Sequence, residues 1–236
     1  MTGRVTTNYT MVKRSHLASI LIAALICATA RADGFHSKSL SAVSKAATQG
    51  DADAQLEFAL RWDYGIGVRR SERQAEKWYR AAAEQGNAQA QNSVGSLLQA
   101  RGRYDDARAW FERAAAQGLP QGVNNLAYLY DLGLGVPQDR EKALHLYEKA
   151  ADGGWAESMW NLATMHALGQ FVPVSNSEAC VWTYRARKFA QPYQRELLQH
   201  VDAGIAQQQH TLSADELRSC QDKAAEWTPA SAPTTK

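Results

Sequence analysis

The feature that most constrains this chain is that it repeats itself. Gly118 to Gly153, GLPQGVNNLAYLYDLGLGVPQDREKALHLYEKAADG, is matched 68 residues earlier by Gly50 to Gln85, GDADAQLEFALRWDYGIGVRRSERQAEKWYRAAAEQ. In that register Phe58 lies over Leu126, Ala59 over Ala127, Trp62 over Tyr130, Gly65 over Gly133, Gly67 over Gly135 and Val68 over Val136. Ala75 falls on Ala143, Tyr79 on Tyr147, and Ala82-Ala83 on Ala150-Ala151. The stretches 86–117 and 154–189 continue the same phase. Self-similarity at this period is the mark of a solenoid, in which one unit cannot bury its own apolar face and stacking creates the core.

Each unit reads as two helices joined by a loop. In the 118–153 unit, Pro120 suits the first helical position, where its missing N–H costs nothing. Val123, Leu126, Ala127 and Tyr130 recur at helical spacing, and the glycines at 133 and 135 stop the helix. Asp139 caps a second helix with Ala143, Leu146, Tyr147, Ala150 and Ala151 on its inner face. Ser71 with Gln74, and Ser175 with Glu178, have capping-box spacing. Ala59, Gly95, Ala127 and Ala163 share one position, small enough for neighbouring helices to approach closely.

An L-[AG] pair, an aromatic, G-x-G-V, K-A-x-x-x-Y and A-A-x-x-G together resemble the Sel1-like repeat, a relative of the tetratricopeptide repeat. The resemblance covers 36–189: a partial repeat at 36–49, then repeats at 50–85, 86–117, 118–153 and 154–189. It implies an all-α fold, a right-handed α-solenoid of helix-turn-helix units with helical caps. The second unit lacks G-x-G-V and has Arg101-Gly102-Arg103 instead, which predicts a tighter loop. In the fourth unit Phe171 replaces the second glycine and Thr183 the inner aromatic, which predicts an altered loop and a less regular layer.

Residues 1–32 read as a signal peptide: Lys13 and Arg14, an uncharged run from Leu17 to Ala28, then small residues for cleavage. Cys27 follows Ile26, not the small residue of a lipobox. Met11 competes with Met1 as the start. The run is shorter than the ~20 apolar residues of a comfortable span, so no stable membrane insertion is expected after cleavage. A periplasmic or secreted protein follows. Of 26 basic side chains the leader holds four and no acid, leaving 22 against 24 acidic ones. That balance gives no reason to expect nucleic-acid binding.

Cys180 and Cys220 remain, an even number for an oxidising compartment. Either they form a disulfide between the last repeat and the final helix, or they are two separately buried thiols. Residues 190–227 read as a C-terminal cap of two helices. The first can start at Pro192 and carries Leu197, Val201 and Ile205; the second follows a capping box, Ser213 with Glu216. The Pro/Ala/Thr-rich tail, 228–236, reads as disordered.

No S-x-x-K, G-x-S-x-G, H-E-x-x-H or C-x-x-C occurs, so the common acyl-transfer and zinc signatures are missing and neither cofactor nor metal is implied. His166, in the aromatic position of Trp62 and Tyr130, reads as a packed ring. His145, His200 and His210 read as solvated. Asp63 and Asp131 precede the glycine loops and read as turn-stabilising groups.

What the repeats offer is a groove lined by the first helix of each pair. One position there reads Glu57, Ser93, Asn125, Asn161. An amide both donates and accepts, so Asn125 and Asn161 suit the backbone of an extended peptide, as similar asparagines do in the tetratricopeptide family. The other reading is that they bridge adjacent repeats. Tyr128 and Trp160 either add contact area or belong to the core, and Arg61 is a weaker candidate. The resemblance implies a non-enzymatic adaptor or regulator, read here as a monomer, binding a protein or peptide of the cell envelope. Family members are implicated in signalling, exopolysaccharide assembly and host interaction. The alternative is a cell-wall or β-lactam hydrolase like certain cysteine-rich Sel1-like proteins, but the first three full repeats here contain no cysteine.

Overall fold

The computed structural model describes residues 39–230. The leader, the choice between Met1 and Met11, and the tail from residue 231 lie outside the described residues. Eleven helices and no strand are found among the described residues. α1 spans Leu40–Thr48. Four hairpins follow: α2 (Ala52–Tyr64) with α3 (Glu72–Glu84), α4 (Ala88–Ala100) with α5 (Tyr104–Ala116), α6 (Pro120–Leu132) with α7 (Arg140–Asp152), and α8 (Ala156–Leu168) with α9 (Asn176–Phe189). α10 (Arg195–Thr211) and α11 (Ala214–Glu226) close the chain. Consecutive helices pack on one another all the way from α1 to the α9–α10 pair, as a solenoid requires.

Local chemistry sets these boundaries. The side chains of Ser71, Asp139 and Ser175 accept the backbone N–H of Gln74, Lys142 and Glu178 and so start α3, α7 and α9. The reciprocal box closes at Ser213, whose own N–H is accepted by Glu216 Oε2 at 2.8 Å. Gly65, Gly133 and Gly169 end α2, α6 and α8 in the left-handed region. A return bond then fixes each loop: Ser71 N donates to Trp62 O, Asp139 N to Tyr130 O and Ser175 N to His166 O. The second repeat has only residues 101–103 between its helices, the tighter connection that Arg101-Gly102-Arg103 predicted.

The fourth loop corrects an expectation. Phe171 adopts φ 68°, beside 72° at Gly67 and 66° at Gly135, and the return bond is intact. The backbone of the loop is unaltered, and the departure lies in the side chain alone. Among the described residues Phe171 is the only non-glycine with positive φ, a conformation costing an L-residue about 1–2 kcal/mol.

Small residues face large ones in the core. A Cβ on Gly95 would lie 2.5 Å from Phe111 Cε1, so α4 packs onto the α5 ring with no space between them. Phe111 is fully buried, worth roughly 2–3 kcal/mol of transfer free energy. Tyr79 and Tyr147 hold the same place in the first and third repeats. In the fourth, Thr183 is buried and donates to Ala179 O at 2.6 Å. The missing ring volume is taken by α10: Gln208 Nε2 donates to Thr183 Oγ1 at 2.9 Å, and a Cβ on Gly204 would lie 3.0 Å from Trp160 and 3.5 Å from Thr183.

The cap is not a fifth repeat, because α10 and α11 pack chiefly on α9 and scarcely on each other. α10 begins at Arg195, later than Pro192 suggested. Gln194 N bonds Gln191 O and Gln191 N bonds Gln194 Oε1, so a turn closes before the helix starts. Cys180 and Cys220 form a disulfide, with Cα atoms 5.9 Å apart. Lys188 Nζ donates to the carbonyls of Ala225 and Trp227, which the end of α11 leaves unpaired. Trp227 meets Phe189 edge-on at 5.5 Å, and the Arg185 guanidinium lies 4.6 Å from the Trp182 ring and 4.9 Å from Trp227. Where composition suggested a disordered tail from Thr228, Pro229 is half-buried next to Gly154.

Candidate functional site

The first helices of the hairpins, α2, α4, α6 and α8, form the inner wall of the stack. They reach one another directly. Asn87, the N-cap of α4, donates to Asp53 of α2 at 2.9 Å, Asn125 of α6 to Asn92 of α4 at 2.8 Å, and Ser158 of α8 to Asn124 of α6 at 2.8 Å. Asn161 Nδ2 reaches the same Asn124 oxygen at 3.3 Å. A row of helices close enough to share amide bonds is the crowded, concave side of a curved stack.

Asn125 and Asn161 are half-buried on this wall, and each has its Nδ2 engaged with the preceding repeat. Both use the same offset: the asparagine of one helix bonds the residue one position earlier in its neighbour's repeat. The partners Asn92 and Asn124 were not singled out from the sequence, although Asn-Ser at 92–93 and Asn-Asn at 124–125 already stood in equivalent places. The Asn125 and Asn161 amides each also carry a carbonyl, a group that can accept a hydrogen bond.

Glu57 is buried, 5% exposed, and takes both Nε and Nη2 of Arg61 on its Oε1, at 3.1 and 2.5 Å. An ion pair one turn apart within α2 holds both side chains against the helix. Tyr128 is half-buried against the cluster that contains Phe111 and Leu129. Trp160 is half-buried and covered by α10 at Gly204. The structure therefore keeps Asn125 and Asn161 together on the inner wall, puts Tyr128 against the core, and places Trp160 under the cap.

Sequence reasoning missed a pair of glutamines that tie the first repeat to α1 and the second repeat to the first. Gln55 donates to Ala47 O and accepts from Gln85; Gln91 donates to Ala83 O and accepts from Gln117. Both donors are spent on carbonyls in the last turn of the preceding helix, which no intrahelical N–H can reach. A recurrent buried Gln three residues into the first helix was the available signal.

The titratable groups are tuned by burial. Tyr79 donates to Asp63 Oδ2 at 3.2 Å, and burial, with Asp63 beside it, raises its phenol well above the ordinary range. Burial also raises Asp131, against the opposing pull of Arg140. Glu157, in the first turn of α8, is the largest case: burial pushes its carboxyl up to about 7. Its Oε1 accepts from Gln194 Nε2 at 2.5 Å, and its Oε2 is buried with no partner. His145 is exposed, and among the described residues no group of three His, Cys, Asp or Glu side chains could hold a metal ion. No helix among the described residues is long and apolar enough to cross a membrane.

The Sel1 repeat model matches residues 52–87, 88–119, 120–155 and 156–188, more than half of the chain and each stretch one of the four hairpins. The chain belongs to the Sel1 repeat family. Its Sel1 solenoid is similar to the solved structure of a Sel1 repeat protein from Oxalobacter formigenes, at 26% identity over 79% of this chain and 77% of that one, with a TM-score of 0.63. It is also similar to a protective antigen present in uropathogenic Escherichia coli strains, described as displaying an SLR fold, at 27% identity and a TM-score of 0.65. That match takes in 78% of this chain but spans only 39% of the antigen's length. No curated protein matches. The four repeats make a Sel1 solenoid, a fold typical of protein-interaction scaffolds.

Proposed function

We propose that this Sel1 repeat protein is a non-enzymatic adaptor of the cell envelope, exported to the periplasm or beyond, that holds a protein or peptide partner along its inner wall. The observation that carries the reading is the unbroken row of α2, α4, α6 and α8. Half-buried asparagines sit on its last two members, α6 and α8, each amide held in place by the repeat before, with a carbonyl left to accept. Fixed rotamers lower the entropy lost when a partner binds, so a pre-organised amide row suits an extended backbone better than a mobile one. Export is supported by the leader-like 1–32 segment and by the disulfide between Cys180 and Cys220, a bond that persists in oxidising compartments.

The test is affinity capture from an envelope extract with the purified protein beside its Asn125→Ala/Asn161→Ala variant, followed by mass spectrometry. A partner retained by the first and lost by the still-folded second supports the groove reading. A partner retained equally by both removes the asparagines from it. No retained partner argues against the adaptor, and nitrocefin or peptidoglycan turnover would then argue for hydrolysis.

A further inference from the structure

We propose that the α8–α9 loop, residues 169–175 with Leu168 before it, is a second docking surface, built for a linear peptide that presents an apolar anchor next to a basic residue. It lies on the loop edge of the solenoid, apart from the asparagine row.

Three observations meet there. The large apolar side chains exposed among the described residues are Leu168, Phe171 and Val174, at 45%, 54% and 64%, the first ending α8 and the other two in the loop that follows. In register, Val174 stands where the first loop has Arg70 and the third has Gln138, so apolar groups replace polar ones. Phe171 stands where those loops have Gly67 and Gly135, and it keeps their left-handed backbone. Strain of that kind, maintained to hold a ring in solvent, is found where a surface is used.

The third observation is space. A Cβ on Gly135 would lie 2.8 Å from Tyr104 and Asp105, so the third loop sits flush on the start of α5. Between the fourth loop and the start of α7 there is open space. A cleft remains there, walled by Tyr130, Pro137 and Phe171 and rimmed by Asp139, Arg140 and Glu141. Its apolar walls suit an aromatic or branched aliphatic side chain.

Charge selects the neighbour of that anchor. Asp139 accepts the Lys142 N–H as the cap of α7, Lys142 Nζ lies 4.0 Å from the Tyr130 ring, and Arg140 Nε faces Asp131 at 3.7 Å. Glu141 is exposed, with no hydrogen bond or ion pair among the described residues. The unspent charge at the rim is a carboxylate, which complements Lys or Arg.

The experiment pans a phage-displayed library of random linear peptides on the purified protein, then measures an enriched peptide by fluorescence anisotropy. Enriched sequences are expected to pair an aromatic or branched aliphatic residue with a nearby Lys or Arg. Phe171→Gly should weaken binding at least tenfold; because it removes backbone strain, its melting temperature should not fall. Glu141→Lys should abolish the preference for a basic neighbour and leave the apolar anchor. Asn125→Ala/Asn161→Ala should bind as the parent does, so a failure here is distinguishable from a failure of the groove reading. The proposal is overturned by the absence of enrichment, by peptides that bind Phe171→Gly equally or share no basic residue, or by binding lost with the asparagine variant. Self-association abolished by Phe171→Gly would overturn it in favour of a second copy, and adsorption to phospholipid vesicles abolished by the same change in favour of a lipid surface.

Discussion

The middle of the stack and its C-terminal end solve one packing problem by different means. In the second and third repeats, each hairpin finds a like neighbour on both sides. The same few residue types then suffice: a small residue against a ring, as Gly95 against Phe111, and alanines between hairpins. The fourth repeat has no fifth to lean on. Its inner ring is replaced by Thr183, its outer face is closed by a disulfide and by Arg185 among Trp182 and Trp227, and its first turn buries the Glu157 carboxylate. Periodic surroundings permit a periodic solution, whereas an end needs its own chemistry.

The comparison breaks most visibly at the rings. Phe111→Ala should cost about 3–5 kcal/mol, read by urea denaturation, because Gly95 across the interface has no side chain with which to refill the cavity. Thr183→Ala should cost well under half of that. Equal losses would mean that the end layer is packed as tightly as the middle.

Next comes the disulfide. The Cys180→Ala/Cys220→Ala double variant should lose up to about 4 kcal/mol, the chain-entropy value for a loop of this size. The loss should be local: limited proteolysis is expected to release α11 first and leave α1 to α9 protected. Uniform destabilisation would contradict the division between end and middle.

Glu157 gives the end a larger pH dependence than the middle, where burial also raises the Asp131 carboxyl. Its folded pKa, about 7, lies above the ordinary 4.5, so the folded state holds the proton more tightly. The contribution is complete below about 4.5 and is lost as pH rises to about 7, a span worth about 3 kcal/mol. Glu157→Gln should flatten that part of the stability–pH curve and raise stability above pH 7. A curve unchanged by the substitution would place the carboxylate in contact with water.

The smallest test exchanges the two loops. Gly135→Ala should destabilise by about 2–3 kcal/mol, since its Cβ meets backbone of α5 at 2.8 Å and its φ is 66°. Phe171→Gly should stabilise by about 1 kcal/mol or less, as relief of strain is partly offset by the entropy of an unfolded glycine. Thermal melts of the pair measure both, and a loss at Phe171→Gly would show that the phenyl packs.

Much of this was legible in the chain. The period, the hairpin boundaries, the caps at Ser71, Asp139 and Ser175, and the short second loop all follow from local chemistry that recurs in register. The candidate site was legible only in outline. Asn125 and Asn161 could be chosen for their place on the inner wall, but not the amides they would meet, because Asn92 and Asn124 lie more than thirty residues away in sequence. Trp160 fits a contact aromatic and a core residue equally well from the sequence, and only α10 laid across it decides. Phe171 read as a disruption of its loop, and the backbone proved to be set by Gly169 and the return bond from Ser175.

By itself, then, the sequence determined a Sel1 solenoid of four hairpins, its capped beginning and the inner row of polar side chains. These are decided within one repeat and copied to the next. Tertiary structure alone decided that α10 and α11 both pack on α9, that Glu157 is buried beneath Gln194, and that a cleft opens beside Phe171. Each depends on contacts made once, between segments that no periodicity relates, where the balance of burial, charge and strain is struck only when the pieces meet.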